Sequence, residues 1–220
     1  MENNFRMTAK TFFGFEDILA TELRKMGAID VQCGTRVVHF TGDKGFMYKA
    51  NIGLRSALKI LKPISSFRAS TEEELYRGIY RIDWSVYLTV GRTLAIDATV
   101  HSPHFRHSQF IAQKCKDAIV DQFRSRTGNR PGVDLTHPDL RINVHIDREQ
   151  VTVSLDSSGA SLHHRGYRTA TNIAPINEVL AAGMLLLSGW DGKSDFLDPM
   201  CGSGTFLAEA AMIACNIPAN

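Results

Sequence analysis

No apolar stretch of this 220-residue chain is long. None approaches the ~20 residues that a bilayer-spanning helix requires, which argues against a helical membrane protein. The cysteines Cys33, Cys115, Cys201 and Cys215 contain no Cys-x-x-Cys pair. That spacing indicates neither a zinc knuckle nor a disulfide framework, and it fits a reducing compartment. The start, Met1-Glu2-Asn3-Asn4-Phe5-Arg6, lacks the charged-then-apolar layout of a signal peptide, so a cytoplasmic location is expected. The seven prolines include no Pro-Pro pair. A net charge of +2 is too small to name a partner, while 44% apolar and 22% charged residues are ordinary for a globular protein.

The distribution of charge says more than its sum. Between His101 and Arg130 stand six basic residues (Arg106, Lys114, Lys116, Arg124, Arg126, Arg130) against Asp117 and Asp121, a local bias that suits a polyanion. The histidines His101, His104 and His107 open that run. With Pro103 among them and no cysteine or carboxylate at ligand spacing, they are not read as a metal site, and no metal is expected. His104, Arg106, His107 and Lys114 are instead candidates to face that polyanion.

Periodicity divides the chain. From Phe5 to about Ala69 it reads β-α-β-β-α-β, the ferredoxin-like order, with an amphipathic helix over Gly14–Met26 that Gly27 stops. Thr71-x-x-Glu74 is a capping box before a second helix, and Leu94–Val100 alternates as a strand. His107–Arg126 is a long helix with a basic outer face. Leu140–Asp147 and Val151–Leu155 form a hairpin around Arg148-Glu149-Gln150. Past Asp156 come a linker, the basic stretch His163–Arg168 around Tyr167, a helix with Pro175 in its first turn, a short strand at Ser194–Leu197 and a helix from Thr205. The units are placed at 1–69, 70–158 and 159–220.

The segment Asp198-Pro199-Met200-Cys201-Gly202-Ser203-Gly204-Thr205-Phe206 carries the chemistry. A strand ends at an acid, two glycines follow, and a helix begins at once. Glycine lets the backbone turn sharply and approach a ligand, and the N–H groups at a helix start favour an anion. A dinucleotide fingerprint would need a small third residue where Leu207 stands. A P-loop reading of Gly192-Lys193-Ser194 fails, because position 187 is Leu187 and the tripeptide precedes the strand. S-adenosylmethionine remains, beside the plain alternative of a structural turn. Cys201 as a nucleophile is outweighed by packing within the loop.

This loop resembles the first cofactor motif of THUMP-domain class I RNA methyltransferases. They are similar to the bacterial large-subunit ribosomal RNA guanine-N2 methyltransferases and are often labelled N6-adenine DNA methylases. Leu162–Arg168 and Ala174-Pro175-Ile176-Asn177 through Ala182 resemble the segments that precede the loop in that family. The resemblance implies a ferredoxin-like subdomain and a THUMP domain, followed by the start of an α/β Rossmann-like methyltransferase domain. It implies that Asp198, Pro199, Cys201, Gly202, Ser203, Gly204, Thr205 and Phe206 surround S-adenosyl-L-methionine, with Ala174, Pro175, Ile176 and Asn177 lining the same pocket. It also implies an Asn/Asp-Pro-Pro-aromatic catalytic motif that this chain does not contain. The chain is therefore expected to be an N-terminal fragment with little activity alone. The partner implied is structured RNA, ribosomal by preference. Arg165, Tyr167 and Arg168 join the candidate RNA contacts, Tyr167 standing between stacking on a base and covering a domain junction. A DNA adenine-N6 methyltransferase and a non-catalytic RNA-binding module are the alternatives.

Overall fold

The computed structural model describes residues 4–168 and 175–220, which form two compact units. The first unit comprises 1–60 and 160–220, the second 61–159. Among the described residues no helix is long and apolar enough to cross a membrane.

The first unit begins β1 (Phe5–Lys10), α1 (Glu16–Met26), β2 (Ile29–Cys33), β3 (Val37–Gly42) and α2 (Lys44–Gly53). The strands β1 and β2 flank β3, each antiparallel to it. Alternation in β1 buries Met7 and Ala9, and in β3 Val38 and Phe40, against Leu19, Ala20 and Leu23 of α1. Side chains of a strand alternate between faces while those of a helix recur every three to four residues, so these patterns close one apolar layer. Gly27 adopts φ 101° and its N–H caps the helix on Arg24 O, as the sequence indicates. Asp43 caps α2 by accepting from Phe46 N at 2.7 Å.

The second unit contains most of β4 (Lys59–Arg68), then α3 (Glu72–Arg81), β5 (Thr93–His101), α4 (Ser108–Thr127), β6 (Gly132–Val133), β7 (Leu140–Asp147) and β8 (Gln150–Asp156). Its strands lie in the order β4-β8-β7-β5-β6; β5 is parallel to β7 and β6, whereas β7–β8 and β8–β4 are antiparallel. Pro63 has no N–H for a ladder, and the β4–β8 register shifts between Pro63 and Ser65. The capping box at Thr71 and Glu74 forms in both directions. Trp84 is fully buried with its indole N–H on Ile79 O at 2.9 Å. Gln122 of α4 closes that corner. Its Oε1 accepts from Trp84 N, and its Nε2 donates to Tyr80 O and Ile82 O.

The first unit resumes with α5 (Glu178–Leu187) and α6 (Thr205–Ala214). Two expectations change here. Pro175 precedes α5 instead of lying in its first turn; Asn177 is the N-cap, its Oδ1 accepting from Leu180 N at 3.2 Å. Ser194–Leu197 is not a strand. A strand exists by its ladder, and among the described residues no strand pairs with this segment. The helix α5 lies against α1: a Cβ on Gly183 would stand 2.1 Å from the Phe15 ring. Ala174 lies outside the described residues.

Candidate functional site

The loop before α6 has the geometry its glycines suggest. Gly202 adopts φ 53° and Gly204 φ 73°, a region costly to residues with a side chain. Asp198 Oδ1 accepts from Met200 N at 3.1 Å, and Gly204 N donates to Cys201 O at 2.7 Å, so the turn is closed by one side-chain and one backbone bond of its own. Gly204 is the N-cap of α6 and offers no side chain to its first N–H groups. Those groups keep the positive end of the helix free for an anionic ligand. Pro199, Cys201, Gly202 and Ser203 are exposed, Asp198 and Phe206 half-buried, and Thr205 buried. Cys201 is a free thiol. A Cβ on Gly202 or Gly204 would meet nothing within 4 Å, so open space adjoins the turn.

An arginine ties this loop to the segment before α5. Arg168 donates through Nη2 to Ile176 O at 2.8 Å and to Thr205 Oγ1 at 2.9 Å, and through Nε to Glu178 Oε1 at 2.5 Å. The fork geometry of a guanidinium satisfies the three acceptors at once. Ile176 is thereby linked through its carbonyl to Thr205 at the end of the loop, while the Asn177 side chain caps α5.

A second network lies beneath. Arg165 and Glu209 pair at 3.5 Å with both side chains fully buried, and Tyr167 OH donates to Glu209 Oε1 at 3.1 Å. Burial holds the Glu209 carboxyl above its usual range, with Arg165 and then Tyr167 drawing it part of the way back. Burial, followed by the Glu209 charge, raises the Tyr167 hydroxyl. This corrects the expectation for the basic stretch: Arg165 cannot face RNA, because its side chain is fully buried against Glu209. Tyr167 and Arg168 are likewise committed inside the unit. Alternating Arg-Gly-Tyr-Arg looks like a surface motif, and nothing in the local pattern announced the acidic partners Glu178 and Glu209.

In the second unit the basic run is where sequence put it. Arg106 and His107 are exposed ahead of α4, and His104 lies 3.5 Å from Glu149. Lys114 sits 5.7 Å from the centre of the Tyr76 ring, whose hydroxyl donates to Asp121 at 2.9 Å. With Lys116, Arg124 and Arg130 these residues line a cleft of about 590 Å³. The ring of Tyr76, from α3, also lines this cleft, a position that the sequence pattern did not indicate. Among the described residues no three His, Cys, Asp or Glu side chains gather as a metal site.

Known proteins place this geometry. The RlmL ferredoxin-like domain family matches residues 6–61, the THUMP domain family 69–156 and the RMKL-like methyltransferase domain family 165–220. The chain carries a THUMP domain between RlmL-type ferredoxin-like and RMKL-like methyltransferase segments. Its fold is a ferredoxin-like domain, a THUMP domain and the N-terminal portion of a methyltransferase domain. It is 43% identical over 207 residues to the ribosomal RNA large subunit methyltransferase K/L of Syntrophotalea carbinolica, covering 92% of this chain and 29% of the relative. It is 42% identical over 218 residues to slr0064 of Synechocystis sp., a candidate RNA methyltransferase, covering 97% of this chain and 57% of the relative. The methyltransferase candidate SMU.472, solved in complex with SAH, superposes with a TM-score of 0.84 at 36% identity, covering 100% of this chain and 58% of that one. The chain thus spans between 29% and 58% of the length of these three relatives.

Proposed function

We propose that the whole protein transfers a methyl group from S-adenosyl-L-methionine to the exocyclic N2 of a guanine in large-subunit ribosomal RNA. The observation that carries this reading is the glycine turn at Gly202 and Gly204, both at positive φ, opening directly into the N-terminus of α6. Asp198 to Phe206 surround the amino-acid end of the donor, whose carboxylate faces the N–H groups of the turn and of the first helical residues. Pro175 to Asn177, with Ala174 before them, line the same pocket. A neighbour of this fold carries SAH, the compound left when S-adenosylmethionine has given up its methyl group.

The sulfonium makes its methyl carbon electrophilic without a metal. The nucleophile is the guanine amine; the carbon–sulfur bond breaks as the carbon–nitrogen bond forms, and the amine loses a proton. The protein's contribution is alignment of amine, methyl and sulfur. A base within a duplex must first leave its stack. The THUMP domain holds the RNA through phosphates and shape, using His104, Arg106, His107 and Lys114 and the basic cleft beside Tyr76.

The test uses the full-length protein with isotopically labelled S-adenosylmethionine. Protein-free large-subunit ribosomal RNA, transfer RNA and duplex DNA are offered in parallel, and the labelled nucleoside is identified after digestion. N2-methylguanosine from ribosomal RNA is expected. Label in adenine of DNA, or none on any acceptor, overturns the proposal.

A further inference from the structure

The carbonyl end of α6 is capped from outside the helix. Arg55, in the turn between α2 and β4, donates through Nη2 to Met212 O at 3.1 Å and to Ile217 O at 2.5 Å. The last carbonyls of a helix lack partners within it, and a cation there also suits the macrodipole. Arg55 is itself held at both backbone groups. Its N–H donates to Glu22 Oε1 at 3.0 Å, and its carbonyl accepts from Arg165 Nη2 at 2.7 Å. Arg165 then pairs with Glu209 in the middle of α6. Beyond the helix, Asn220 N donates to Ile52 O at 3.0 Å. Arg55 and the neighbouring Ile52 therefore hold the C-terminal end of α6 and the segment after it, with Arg165 extending the hold to Glu209 in mid-helix.

The other end of α6 is the glycine turn. A ten-residue helix is a stiff rod about 15 Å long, so fixing its far end fixes where its near end points. We infer that Arg55 is a positioning residue for the methyl-donor loop, making the ferredoxin-like domain part of the donor site. This rests on the reading of that loop as the donor site. The Arg55 side chain bonds the far end of α6 and not the loop, so it acts through the helix.

The experiment compares full-length wild type with R55M and R55K. Donor and RNA affinities are measured by calorimetry, and amide hydrogen exchange is followed over Gly202–Leu207. R55M is expected to weaken S-adenosylmethionine binding about ten-fold and to speed exchange at the loop, with RNA affinity unchanged within about two-fold. R55K keeps the charge without the planar fork and is expected to fall between. Should R55M not fold, R55K decides alone. Donor affinity and loop exchange equal to wild type in the folded variants overturn the inference while leaving the donor site standing. Equal losses of donor and RNA affinity overturn it too, since they mark general destabilisation. A wild type that binds no donor overturns the donor-site reading, and this inference with it.

Discussion

Glycines in the methyltransferase portion are held for different reasons, and the space a methyl group would enter separates them. At Gly183 a Cβ would stand 2.1 Å from the Phe15 ring, inside the α1–α5 contact. At Gly204 the same atom would meet nothing within 4 Å, and the constraint is φ 73°. Gly183→Ala is therefore an overpacking substitution, expected to cost about 1–3 kcal/mol of stability. Gly204→Ala carries only backbone strain, about 1–2 kcal/mol, but places a methyl group in the turn proposed to hold the donor. Thermal melts of full-length protein should fall for both. Calorimetry with S-adenosylmethionine should separate them, with affinity reduced at least about ten-fold by Gly204→Ala and nearly kept by Gly183→Ala at a temperature where it is folded. Equal donor affinity in wild type and Gly204→Ala would count against the turn as the donor site. Arg168 gives a second residue-scale test. Arg168→Lys replaces a fork serving Ile176 O, Glu178 and Thr205 by a point donor, so the link between loop and α5 should loosen. Donor affinity is expected to drop about three- to ten-fold, measured in the same titration.

At the scale of elements, the second unit's first helix shows how a local signal becomes stability. Ser70 N and its hydroxyl, then Thr71 N, donate to Glu74, and these bonds hold its carboxyl below the usual carboxylate range. The sign follows from the direction: a carboxylate with a depressed folded pKa adds stability above its unfolded value and loses it as pH falls through the folded one. Thr71→Ala should destabilise by about 1 kcal/mol near neutrality, read by denaturant midpoint. Glu74→Gln should flatten the acid limb of the stability curve, and an unchanged limb would show that the box contributes nothing there. Such elements were legible because their determinants sit within four residues: the Thr71 box, the Gly27 stop, the hairpin at Arg148. Pro63 stands at the irregularity in β4 for an equally local reason, its missing N–H. What sequence did not disclose depends on distant partners. Gln122 serves Trp84 from 38 residues away, Tyr167 meets Glu209 across 42, and Arg55 reaches Ile217 across 162. Arg165 was misplaced for the same reason, since its burial is a property of Glu209. Ser194–Leu197 read as a strand from composition, but its state depends on neighbours that composition does not reveal.

For the whole molecule, the division into two units separates the proposed tasks. The glycine turn, Arg168 and Glu209 belong to the first unit, whereas Tyr76, Lys114, Lys116, Arg124 and Arg130 belong to the second. The basic residues of α4 and of the segment just after it are not equivalent. Lys116 and Arg124 pair with Asp117 and Asp121, and Arg126 with Asp83, while Lys114 lies over Tyr76 and Arg130 has no ion pair among the described residues. Exposed pairs contribute little to stability, so these side chains are available to phosphates at small cost to the fold. Each phosphate contact that is lost removes about one unit from the slope of log affinity against log salt. A Lys114→Gln, Arg130→Gln double variant of the full-length protein should bind ribosomal RNA more weakly at moderate salt, with a slope shallower by about two. Its affinity for S-adenosylmethionine should match wild type, because neither residue is in the unit that holds the turn. Filter binding across a salt series, set beside donor titration, reads both quantities. A wild-type slope in the double variant would move the RNA surface away from α4, and a loss of donor affinity would show that the two units do not divide the work as their residues suggest.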